Sequence, residues 1–206
     1  GTKAAVYLET PSGDDITVII DGKAEKKLEY DSGGDHVDNW AVRVHGSSNH
    51  ATSVVEVNDC AASGRQAKGV WIDGSGINTV IVDKDINVTG QSTTGALIEG
   101  RGNNTVIVGT GENDGNITGG ENGVELRPNG SQEIIATGTI SGGVNSIVIV
   151  DQDVADYNIT AWSIKANNGT ITDREAKEEA LKSHINYILR VDTILGDIAT
   201  SVAGLV

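Results

Sequence analysis

Two stretches of this chain are near copies of one another. Gly69-Val70-Trp71-Ile72-Asp73-Gly74 leads to Asn78-Thr79-Val80-Ile81-Val82, and Gly95-Ala96-Leu97-Ile98-Glu99-Gly100 leads to Asn104-Thr105-Val106-Ile107-Val108. In both, the second run begins nine positions after the first, and the same step takes Gly123-Val124-Glu125-Leu126 to Gln132-Glu133-Ile134-Ile135-Ala136. Weaker copies begin at Ala5, Ala41 and Ser146, with second runs at Ile16, Thr52 and Tyr157. A unit this short cannot bury an apolar face alone, so it must stack on its own copies, and a repeat therefore decides architecture before any single residue does.

The copies start at 5, 41, 69, 95, 123 and 146. After a long first step, this spacing exceeds the roughly 18 residues of three hexapeptides and suits three short strands per turn. A third strand reads at Ile86-Asn87-Val88-Thr89, Asn116-Ile117-Thr118-Gly119 and Thr139-Ile140-Ser141-Gly142. The expected fold is all-β, a right-handed single-stranded parallel β-helix of about six rungs. The long first step implies an insertion at about 21–40.

Alternation along the first strand puts Val6/Leu8, Val42/Val44, Val70/Ile72, Ala96/Ile98, Val124/Leu126 and Ile147/Ile149 on one face, stacked about 4.8 Å apart as core columns. The outward column then reads Tyr7, Arg43, Trp71, Leu97, Glu125, Val148, flanked by Glu9, His45, Asp73, Glu99 and Arg127. Tyr, Trp and Leu make this stripe more apolar than water requires, and Tyr7, Arg43, His45, Trp71 and Leu97 are its candidate ligand-binding residues. The second strand is apolar throughout, as in Val80-Ile81-Val82 and Val106-Ile107-Val108, which is expected of a strand covered on both sides. Asn78 and Asn104 before these runs, and Asn49 near a third, suit a left-handed turn residue able to stack as a ladder.

Composition supports stacked strands: Phe and Met are absent, so the core must be Val, Ile, Leu and Ala, and 27 glycines serve the turns. A net charge of −14 repels nucleic acid and anionic membranes, and no run reaches the ~18–20 apolar residues of a membrane span. Cys60 is the one cysteine and reads as a small buried residue.

Beyond Gly169 the pattern changes. Thr172-Asp173-Arg174-Glu175 is a capping box, and Ala176, Ala180, Leu181, Ile185, Ile188 and Leu189 share one helical stripe. The chain thus divides into a β-helix over 1–170 and, over 171–206, an amphipathic helix of about 173–191 with an apolar tail. The helix is expected to cap the stack or cover its second face.

No convergent catalytic set stands out. His36, His45, His50 and His184 lack zinc-site spacing, and Asp83-Lys84-Asp85-Ile86-Asn87 starts like a calcium loop but has Val88 where glycine is needed. The Asp-rich turns at 109–116 and 151–156 offer oxygen ligands of the kind that hold calcium weakly; no other cofactor is implied. The repeat pattern over about 5–168 resembles right-handed β-helix proteins of the pectate-lyase-like fold, closest in character to passenger domains of bacterial autotransporter adhesins. Gly69-Val70-Trp71-Ile72-Asp73 is similar to part of a pectate-lyase segment, but Gly74 stands where that family has histidine. The resemblance implies a secreted or cell-surface, non-catalytic module, an adhesin-like stalk or contact surface whose partner is a carbohydrate or a host or cell-surface protein. The alternatives are a polysaccharide lyase or glycoside hydrolase on the same fold, and a tailspike-like trimer.

Overall fold

The computed structural model describes residues 4–10, 14–26, 39–110, 115–127, 130–150, 157–166 and 188–195. Among these the chain is all-β, with fifteen strands and every pairing parallel. One six-stranded sheet holds β1 (Ala4–Thr10), β3 (Trp40–Gly46), β5 (Lys68–Ile72), β8 (Thr94–Ile98), β11 (Asn122–Leu126) and β13 (Asn145–Ile149), in that order. The other holds β2 (Asp15–Lys26), β4 (Thr52–Ser63), β6 (Ile77–Val82), β7 (Ile86–Thr89), β9 (Asn103–Val108), β10 (Ile117–Gly119), β12 (Ser131–Gly142), β14 (Tyr157–Ala166) and β15 (Ile188–Leu195).

The second sheet is forked. The first halves of the long strands β4 and β12 are joined through β6 and β9, and their second halves through β7 and β10. The chain therefore climbs three parallel ladders, passing from each to the next and returning one rung on. The first-ladder register is the one the repeats imply: Tyr7, Arg43, Trp71, Leu97, Glu125 and Val148 lie in one line. The third-strand reading holds equally, with Ile86, Ile117 and Ile140 in register.

The core lies between the ladders. Val70 and Ile72 from the first, Val80 and Val82 from the second, and Ile86 and Val88 from the third are all fully buried. Each such side chain contributes about 1.5–3 kcal/mol. At the first rung Val6, Ile16, Val18 and Ile20 are only partly buried, because a terminal rung has a neighbour on one side alone.

From the second rung on, alternation fails just before the first-ladder core pair. Ala41 and Val42 are both in the core, and at Gly69, Gly95 and Gly123 an added Cβ would meet the side chains of Ile86, Ile117 and Ile140. Glycine thus recurs there because the third ladder crowds that position, and the preceding residue, as in Trp40 and Lys68, is left on the outer face.

Asn78 and Asn104 do form a ladder, but inside strands β6 and β9. Asn78 Nδ2 donates to Asn104 Oδ1 at 2.8 Å, Asn104 Nδ2 to Gln132 Oε1 at 3.3 Å, and Gln132 Nε2 to the Gly100 carbonyl at 3.0 Å. The expected left-handed backbone is not adopted. Among the described non-glycine residues only Gln66 and Ser92 have positive φ, because here the amide turns inward to satisfy corner carbonyls. Ser53, not Asn49, takes this column in β4 and bonds Thr10.

Three further expectations are met only in part by the described residues. Of the insertion expected at about 21–40, residues 21–26 continue β2 beside β4, and 27–38 lie outside the described residues. The helix expected at 173–191 lies outside them up to residue 187. From Ile188 the chain is strand β15, parallel to β14, so Ile188 and Leu189 extend the second ladder instead of a helical stripe. The β-branched residues Ile188, Val191, Thr193 and Ile194 favour that outcome. No described element covers the second ladder's outer face, where Ile19, Glu56, Ile81, Ile107 and Ile135 are in register and none is fully buried.

Cys60 is buried, its thiol donating to the Gly69 carbonyl at 3.2 Å. Burial, and then the nearby Asp59 carboxylate, push the thiol far above its ordinary range, so thiolate is scarce at neutral pH. A soluble disulfide reagent should leave the native chain unlabelled and label it in full in denaturant; rapid native labelling would contradict the assigned core.

Candidate contact surface

The outer face of the first ladder gathers the polar and aromatic groups. Because the strands are parallel and in register, outward residues of successive rungs sit about 4.8 Å apart, close enough for long side chains to reach one rung up or down. Arg43 exploits this. Its guanidinium carbon lies 5.5 Å from the Tyr7 ring centre, 5.1 Å from that of Trp40 and 4.1 Å from that of Trp71. Trp40 and Trp71 meet edge to face with ring centres 4.9 Å apart, and Lys68 Nζ lies 5.1 Å from the Trp71 ring. Cations over aromatic faces and edge-to-face rings are each favourable by about 0.5–1.5 kcal/mol.

Carboxylates hold this stack in place. Arg43 Nε donates to Asp73 Oδ1 at 3.2 Å, and its Nη2 pairs with Asp73 Oδ2, a forked geometry that fixes the guanidinium plane. His45 Nδ1 lies 3.1 Å from Asp73 Oδ1. Trp71 Nε1 donates to Glu99 Oε1 at 2.8 Å, and Arg127 links Glu125 at 2.7 Å with Glu99 at 3.2 Å. Burial works against the Arg127 charge, but the Glu125 and Glu99 carboxylates outweigh it and raise its pKa. At the stack's open end Tyr7 is 50% exposed and its hydroxyl donates to Glu9. Partial burial, then the Glu9 carboxylate, raise the phenol pKa.

Of the five residues singled out from sequence, Tyr7, Arg43, His45 and Trp71 are brought together. Leu97 is in line with them but is not available: it is 2% exposed, between Trp71 and Glu125 in the ladder. The alternation rule sends Leu97 outward and is silent about what its large neighbours then cover. Trp40 and Lys68 were not anticipated. Each precedes a copy by one residue, and the break in alternation brings them to the outer face; a tryptophan and a lysine at equivalent positions were the available signal.

The arrangement places aromatic faces and carboxylates side by side on the outer face of the first ladder. Asp73 is held by Arg43 and His45, and Glu99 and Glu125 share Arg127, so each carboxylate is bonded within the face, and the two groups meet where Arg43 lies over the Trp71 ring. Among the described residues no group of three or more His, Cys, Asp or Glu could hold a metal ion. Part of the turn at 109–116 and all of that at 151–156 lie outside them. No described helix is long and apolar enough to cross a membrane. No family model, no curated protein and no solved structure matches the chain.

Proposed function

We propose that this chain is a non-catalytic module of a secreted or cell-surface protein, a right-handed parallel β-helix acting as a stiff stalk whose first-ladder outer face contacts carbohydrate. The observation that carries this reading is the Tyr7–Arg43–Trp71 stack, ordered by bonds within the face before any ligand arrives. Such preorganisation lowers the entropy lost on binding, and the exposed Tyr7 ring beside the Glu9 carboxylate suits a sugar's C–H face and hydroxyls. The right-handed sense follows from the strong preference of parallel crossover connections for that hand. The non-catalytic reading is favoured by the pairing of Asp73, Glu99 and Glu125 within the face, which leaves them poorly placed as a free acid and base.

The test is binding of the full chain to immobilised neutral and acidic polysaccharides. Retention by at least one, reduced about tenfold or more by Tyr7→Ala and by Trp71→Ala and unaffected by Ile19→Thr on another face, is the expected result. Absence of retention on every polysaccharide would count against the contact surface. Release of new reducing ends or unsaturated sugars would replace the module with an enzyme.

A further inference from the structure

The outer faces of the first and second ladders treat charge differently. On the first, Asp73, Glu99 and Glu125 each meet an arginine. On the second, the described outward residues of the first halves of β2, β4 and β12, of β6 with Asp83 just beyond it, and of β9 include Asp15, Asp21, Glu56, Asp83 and Glu133, and no Lys, Arg or His; Lys23 and Lys26, in the second half of β2, belong to the third ladder. Such bonds as these carboxylates make go to neutral donors: Asp15 to the Thr52 N–H, Asp21 to Asn58, Asp83 to Thr110, and Glu133 to Thr105 and Asn158. Among the described residues none of the five pairs with a cation.

Between the carboxylates runs an apolar band. Ile81, Ile107 and Ile135 form an unbroken outward line on three successive rungs. Val54 and Ile77 lie beside it, and Ile19, 68% exposed, is in the same register line one rung past Glu56. Isoleucine next to isoleucine on an outward column, with acids around it and no base among the described outward residues of the first five rungs, leaves both apolar area and negative potential uncompensated there; the nearest base in the register line is Arg190, two rungs beyond Ile135.

We propose that this face is a docking surface for a basic amphipathic helix of another protein. A helix lies along a sheet by placing one apolar stripe on it, and lysines or arginines flanking that stripe would meet Glu56, Asp83 and Glu133. The sign of the charge selects the occupant. A second copy of this chain would bring a net −14 against the same carboxylates, and the region around 173–191 carries acids and bases in equal number.

The probe is a synthetic leucine–lysine amphipathic helix, titrated into the full chain by fluorescence anisotropy, with a leucine–glutamate helix of the same pattern as its counterpart. Expected is binding of the lysine peptide at least tenfold tighter than the glutamate one. The paired change Ile81→Thr with Ile107→Thr should weaken it about tenfold. Glu56→Gln with Glu133→Gln should do the same without altering core packing, which keeps the test decisive should the threonine variant lose stability. Tyr7→Ser, on the other face, should have no effect. Equal binding by all variants would mean general attraction to an acidic chain and would overturn the proposal. So would absence of binding, or a concentration-dependent dimer abolished by the isoleucine changes, which would make a second copy the occupant.

Discussion

Ile98→Asp is expected to cost more than about 4 kcal/mol, enough to unfold the chain or shift its urea midpoint by more than 1 M. Ile98 is fully buried in the first ladder, with Ile72 on one side and Leu126 on the other. A carboxylate there has no partner in reach, so it must either remain charged in an apolar interior or take up a proton at a cost. The matched control is Val150→Asp, just beyond β13 and 53% exposed, which should stay within about 0.5 kcal/mol. Equal midpoints for the two variants would refute the assignment of inward and outward columns.

Gly95→Ala should be almost as damaging. A Cβ added at Gly95 would lie 2.5 Å from the Gly123 carbonyl oxygen and 2.7 Å from Ile117 Cγ2. The first obstacle is backbone held in a parallel ladder and the second a buried side chain, so neither can yield without moving a rung. A cost of about 3 kcal/mol corresponds to a fall in Tm on the order of 10 °C. Gly22→Ala is the contrasting case: nothing stands within 4 Å of a Cβ there, and the change should be neutral or slightly stabilising. A Gly95 variant that melts with the parent would mean that the third ladder does not pack where it is placed.

These two residues also mark how far the sequence was legible. Ile98 was identifiable as core because the period of two along a strand and the repeat spacing between strands together fix both its face and its neighbours. The lateral line from Tyr7 to Val148 followed from the same arithmetic. Gly95 was legible as a glycine that recurs, but not why it does. The reason lies in the third ladder, some twenty residues further along the chain, pressing against the first. The outward cluster was half readable for a similar cause. Periodicity gave Tyr7, Arg43, His45 and Trp71, whereas Trp40 enters through an irregularity that a strict alternation smooths over, and Leu97 is concealed by the size of its neighbours. At the C-terminal end the pattern of Ile188, Leu189 and Val191 is compatible with helix and strand alike, and a free ladder edge at β14 decides for the strand.

Because every rung pairs only with the one before and the one after, the columns are interchangeable between rungs. Removing residues 94–121 would join Thr93 to Asn122, whose backbone N–H already donates to the Thr93 carbonyl. Val70 would then face Val124, Asn78 would face Gln132, and Ile86 would face Ile140, each pair of a kind already present elsewhere in its column. Whole-rung loss or duplication is thus the cheapest large change open to such a gene, far cheaper than a single inserted residue within a strand, which would turn one side of a ladder inside out. The number of rungs, and with it the length of the ladders, can therefore change while the Tyr7–Arg43–Trp71 stack, built on three neighbouring rungs, stays as it is.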